Sequence, residues 1–241
     1  MATSTTDGEK KPFRVEAAAR GGIVTIVAGS EAVKYLVHKA VLMEHSAYFE
    51  KALQGPWKEA EEGVVRLDDV EPEIFGVFVD WIYSQRVSQL GLETEYLGIS
   101  YRKHFQMTWL KACILGDRLL APMFVQAFRY DLVHHLVNHQ SVLYDTIIYG
   151  FSNLAAGDPL LRMVTDVHIY DIVEGSAHDD QELRMYLPMR FLLAIKDKFA
   201  IVLDTQEDVC NLDTCDYHGH TSEEERKKCK KRLEDSRREC C

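Results

Sequence analysis

The chain has 241 residues, a formal net charge of -10 and a hydrophobic share of 46%. That is enough to bury a core in one domain or two small ones, and it excludes a wholly disordered chain. The acidic balance argues against general nucleic-acid binding, and no apolar run approaches the ~18 residues of a membrane span or forms a secretory leader in MATSTTDGEKKPFRVE, so an intracellular protein of nucleus and/or cytoplasm is expected.

Residues 1–20 are small and polar, the composition of a mobile arm. From Ile23 the chain is β-branched and alternating, and Ala28-Gly29-Ser30 is turn material before Val33, Tyr35 and Val37, which predicts a β-hairpin. His38–Met43 and Ser46–Leu53 are expected as two short helices, with Ser46 as an N-cap. Gly55-Pro56 interrupts them, and Val64–Leu67 is a strand. Pro72 suits a helix first turn, and Phe75, Phe78, Val79 and Ile82 then recur at helical spacing.

Ser84–Gln106 is weakly patterned and predicts a loop. Trp109–Leu120 and Phe124–Leu136 form a helical pair broken at Ala121-Pro122, the second with Phe124, Phe128, Leu132 and Leu136 in one stripe. Ser141–Phe151, Pro159–Tyr170 and Pro188–Leu203 are three further helical patterns, the middle one opened by Asp158-Pro159. Gly175–Gln181 is a polar connector. Beyond Asp204 the composition turns to Cys, His and dense charge.

Three constellations beyond residue 130 could carry chemistry. Cys215, His218, His220 and Cys229 are four donors of the kind zinc prefers, and Gly219 lets the backbone fold tightly between the two histidines. Cys210 is a fifth candidate, and free thiols in a flexible tail are the alternative. Cys240 and Cys241 are expected to be frayed and oxidisable. The run Glu223 to Arg232, acidic then basic, suits a solvated helix with Glu223–Lys227 and Glu224–Lys228 pairs, or a nuclear import signal. Asp131, His135 and His139 share a helix face and are expected to be structural. The glycine-rich phosphate loops, H-E-x-x-H and G-x-S-x-G are all absent from the sequence, so a non-catalytic protein is expected.

Val37-His38-Lys39-x-Val41-Leu42, Ser46-x-x-Phe49 and Asp69-Val70-Glu71-Pro72-x-x-Phe75, in this order, resemble the BTB/POZ domain. Leu115 to Pro122 resembles the helix and Ala-Pro step of a fungal type of that family, and Gly157 to Arg162 its C-terminal helical extension. The resemblance implies an α+β fold, a small β-sheet with a helical cluster, followed by an α-helical extension. The expected divisions are a BTB core at 21–137, the extension at 138–203 and a Cys/His and charged tail at 204–241.

It also implies protein association: a scaffold or adaptor, often a homodimer, whose partners are other proteins. In members that dock on cullin scaffolds of ubiquitin ligases, a hydrophobic residue and a glutamate occupy the stretch that here reads Trp57-Lys58-Glu59. An exposed aromatic beside a carboxylate makes a partner anchor, while a Trp57 packed on its own domain is the alternative. Ile23 and Lys39 replace the aspartate and arginine of the dimeric corepressor-binding members, so their buried charge pair cannot form. The competing expectation is a nuclear regulatory protein with a zinc-stabilised tail.

Overall fold

A computed structural model of the chain describes residues 21–87, 99–173, 181–205, 212–220 and 222–239. The expected N-terminal arm, Cys210, Cys240, Cys241 and most of the polar connector lie outside these residues. The described chain is mostly helical with one small mixed sheet, in two compact units.

The first unit holds the described residues up to Gln85 together with Arg118–Ala121. Strands β1 (Ile23–Ala28) and β2 (Val33–His38) form the expected hairpin, pairing Ile23 with His38 and Ala28 with Val33. Helices α1 (Lys39–His45) and α2 (Ala47–Gln54) follow, and the Phe49 N–H donates to Ser46 Oγ at 3.2 Å, the N-cap that its hydroxyl predicts. A short α3 (Lys58–Glu62) leads through Gly63 into β3 (Val64–Leu67), which pairs parallel to β1. The sheet order is therefore β2-β1-β3. α4 (Pro72–Ser84) starts at a first-turn proline and buries Ile74, Phe75, Phe78 and Ile82.

The core of this unit is an aromatic cluster: Phe49, Phe75 and Phe78 pack with ring centroids 5.9 to 6.3 Å apart. Tyr35 on β2 meets Phe75 edge-on and donates its hydroxyl to the Pro72 carbonyl at 2.7 Å, tying the sheet to the start of α4. Gly29, at φ +71°, turns the hairpin where a Cβ would stand 2.8 Å from Pro72 Cδ. The returning segment Arg118–Ala121 supplies carbonyls to α2. Ser46 Oγ donates to Leu119 O at 2.5 Å, Ala47 N–H to Leu120 O and Tyr48 N–H to Leu119 O.

The second unit contains Arg86–Asp117 and the chain from Pro122. Its helices are α5 (Ile99–Arg118, whose last residue belongs to the first unit), α6 (Pro122–His139), α7 (Tyr144–Asn153), α8 (Pro159–Val173), α9 (Met189–Thr205) and α10 (Glu223–Glu239), with short 3-10 turns at Gln181–Tyr186 and Thr214–Asp216. The stripe Phe124, Phe128, Leu132 and Leu136 is buried as its spacing predicts, beside a Phe105–Trp109 stack at 4.1 Å. The loop expected over Ser84–Gln106 is helical from Ile99. Gln106 is fully buried: its Oε1 accepts from the Leu143 N–H and Thr146 Oγ1, and its Nε2 donates to Ser141 O. A polar side chain satisfied on both ends breaks the apolar pattern without exposing the helix.

Arg129 and Asp158 form a bidentate pair at 2.8 and 3.0 Å, with side chains 9% and 11% exposed. Asp158 Oδ1 also accepts the Leu160 N–H and so caps α8. His135 is stacked on Phe105 at 4.1 Å and lies 4.3 Å from His139, and burial pushes its pKa down to about 4.

Candidate functional site

Two places carry the side chains singled out from the sequence, one in each unit. In the first, Trp57 precedes α3 and Glu59 lies in its first turn, so the expected loop is a helix start. The indole is 60% exposed, yet one edge lies on Gly55, whose hypothetical Cβ would fall 2.4 Å from Trp57 Cδ1 and Nε1. Gly55 therefore sets the ring's pose while most of its surface faces water. Glu59 is half-buried, and its carbonyl accepts the Gly63 N–H that closes the helix. Ile23, where the resemblance looks for an aspartate, is 62% exposed on the hairpin.

In the second unit the four sulfur and imidazole donors converge. One ligand atom from each of Cys215, His218, His220 and Cys229 lies within 4.8 Å of every other. Zinc–ligand bonds of about 2.0–2.3 Å give tetrahedral edges of roughly 3.3–3.8 Å, so closure asks for a contraction of at most about 1.5 Å. One edge is already at that length: His218 Nδ1 is 3.2 Å from Cys229 Sγ.

Local structure explains the convergence. Asp213 caps the 3-10 turn by accepting the Cys215 N–H, which fixes the first cysteine. Gly219 at φ +70° reverses the chain so that the flanking imidazoles, 5.4 Å apart and nearly perpendicular, face one centre. Cys229 comes from the second turn of α10.

The segment is seated on the unit's helices. Tyr217 Oη donates to Asp166 Oδ2 at 2.9 Å, and Arg162 reaches Asp216 O at 2.6 Å while its guanidinium lies 5.2 Å from the Tyr217 ring centroid. The His218 ring packs against Tyr130 and His134 of α6.

The electrostatics suit a metal. Burial pushes His218 down to about 4, which keeps its imidazole neutral and able to ligate. Burial, then hydrogen bonding to Cys229, pushes the Cys215 thiol up to about 12, so only a strong Lewis acid displaces its proton near neutrality. The Nε2 atoms of His218 and His220 are buried with no hydrogen-bond partner. Two imidazoles and two thiols around one point form a donor set that fits zinc. It is the one such group among the described residues, and Asp131, His135 and His139 do not form another.

Sequence reasoning missed what surrounds these four donors. The Tyr217–Asp166 bond and the Arg162 contacts join residues about fifty positions apart, and no local spacing announces them. Among the described residues the pairs expected between Glu223 and Lys227 and between Glu224 and Lys228 do not form; instead Arg226 pairs with Asp216, and Lys230 with Asp213 at 2.6 Å.

Among known families, residues 24–113 match the BTB/POZ domain. BTB domains are protein-interaction modules, often dimeric and typically non-catalytic. The match covers the mixed sheet, α1 to α4 and most of α5, and leaves the later helices and the Cys/His segment outside it. No curated protein matches the chain. Among the described residues no helix is long and apolar enough to cross a membrane.

Proposed function

We propose that this chain is a non-catalytic scaffold or adaptor that docks on a cullin-type ubiquitin-ligase scaffold through Trp57 and Glu59. The chemistry of ubiquitin transfer belongs to the partner enzymes. The observation that carries this reading is an indole 60% exposed at a helix start inside a BTB/POZ match. An exposed aromatic supplies the apolar anchor and the neighbouring carboxylate its orientation. In this reading residues 21–137 hold the partner-binding and self-associating core, 138–203 extend it, and 204–241 form a separate functional element.

The test is recovery of a purified cullin N-terminal domain by wild type and by the Trp57→Ala, Glu59→Ala double variant. Loss of a central aromatic hot spot is worth about 2 kcal/mol or more, hence a roughly 30-fold weaker complex. Equal recovery by a folded variant refutes the docking surface. Measuring mass in solution for the same samples separates a homodimer from a monomer.

The Cys/His cluster favours a second reading that is compatible with the first: a zinc-stabilised C-terminal segment of a nuclear regulatory protein. Its support is the convergence of four ligand atoms, from two thiols and two imidazoles, on one point. Metal analysis of the full chain, purified without added metal, is expected to give about one zinc per chain. A value near zero that zinc addition does not raise removes this reading.

A further inference from the structure

The terminal helix α10 has no apolar face with which to hold itself to the protein. Its sequence EEERKKCKKRLEDSRRE contains only Cys229, Leu233 and Ser236 besides charged residues. Among its described side chains, 223–231, all are exposed except Arg226 and Cys229. Amphipathic helices stay docked by burying a stripe, and this one buries none there. Its ion pairs are partly solvated: the Arg226 side chain is 36% exposed, Lys230 46%, and Asp213 and Asp216 just under 40%. Exposed pairs of this kind contribute little.

The segment just before it is anchored differently. Tyr217 is 4% exposed and bonded to Asp166, and Arg162 clamps Asp216. Cys215 and His218 are buried as well. Three ligands thus sit on a firmly seated turn, and the fourth, Cys229, belongs to a helix whose ion pairs to that turn, among the described side chains, are part-exposed.

We propose that a zinc ion bound by Cys215, His218, His220 and Cys229 is the anchor that docks α10, so that metal occupancy decides whether this charged helix is pinned to the second unit or released from it. The proposal rests on the zinc reading above and extends it. The 3-10 turn and Tyr217 stay seated without metal, because their contacts are protein-to-protein. The helix leaves, because a polar helix of 17 residues in water is only marginally stable alone. The site is then a clasp with one fixed and one movable half, and it controls how residues Arg226 to Arg232, a basic run, are presented.

The experiment compares backbone hydrogen exchange of the full chain with zinc bound, after chelation with the metal loss verified by elemental analysis, and in Cys229→Ser. Amides of residues 225–231 are expected to lose about tenfold or more protection in the last two states. Peptides from α6 and α8 and the 214–217 turn keep theirs. An Arg226→Gln, Lys230→Gln variant with zinc bound is expected to retain α10 protection, as is wild type in 0.5 M salt, a concentration that screens surface ion pairs.

Unchanged α10 protection after verified zinc removal overturns the anchoring role while leaving zinc binding intact. Release of α10 by salt or by the double variant with zinc still bound also overturns it, in favour of the ion pairs. A chain that takes up no zinc refutes the zinc reading and this proposal together, through the metal analysis rather than the exchange data.

Discussion

Replacing Asp158 by Asn keeps a capping oxygen at the start of α8 but removes the charge that faces Arg129. The guanidinium stays where its side chain is only 9% exposed, without the bidentate acceptor at 2.8 and 3.0 Å. Removing one partner of a buried pair costs about 3–5 kcal/mol, far above the ~0–1 kcal/mol of a surface pair. Asp117 moderates the loss. Its pKa is raised by burial, against the pull of Arg129, so a second carboxylate remains within electrostatic reach. About 3 kcal/mol is therefore expected, which for a unit of this size lowers Tm by roughly 6–12 °C. Arg129→Met, Asp158→Asn together should be less destabilised than Asp158→Asn alone, because no unpaired guanidinium is left inside. Differential scanning calorimetry at fixed zinc concentration reads all three variants. A Tm shift below about 3 °C for Asp158→Asn, or simple additivity in the double variant, refutes the argument that burial gives this pair its weight.

Two further outcomes are expected. His135 has a folded pKa of about 4 against an ordinary 6.5, so between those values the unfolded chain binds the extra proton and stability falls as pH falls. His135→Phe should flatten the urea-midpoint profile from pH 6.5 to 4 by about 2–3 kcal/mol, and an unchanged slope would refute the role of its burial. Gly29→Ala places a Cβ 2.8 Å from Pro72 Cδ at φ +71° and is expected to cost about 2–3 kcal/mol in equilibrium unfolding. A neutral result would mean that the hairpin turn and the start of α4 shift apart freely.

What the sequence disclosed follows from how local each cause is. The hairpin, β3, α4 and the Phe124–Leu136 stripe obey periods of two or 3.6 residues, and Ser46 and Pro72 mark helix starts by their own chemistry. The start of α5 was hidden because Gln106 is buried through bonds to Ser141, Leu143 and Thr146, some forty positions away. Lys58–Glu62 is too short and too charged to show a face. For the candidate metal centre, ligand types and spacing were legible, and so was the freedom that Gly219 gives. The fixed turn was not, since it depends on Asp166 and Arg162. For Trp57, no sequence pattern could say how the indole divides itself between Gly55 and water.

The carbonyls of Leu119 and Leu120 complete the first turn of α2, although more than seventy positions separate them along the chain. The first unit is therefore discontinuous, and on the ribosome it cannot close when Gln85 emerges. It waits for residue 121, with the Ser46 hydroxyl proton and two helix amides lacking these acceptors in the meantime. A fragment cut at 113, where the family match ends, would carry that vacancy permanently. The span that identifies a domain and the span that finishes it are, in this chain, two different lengths.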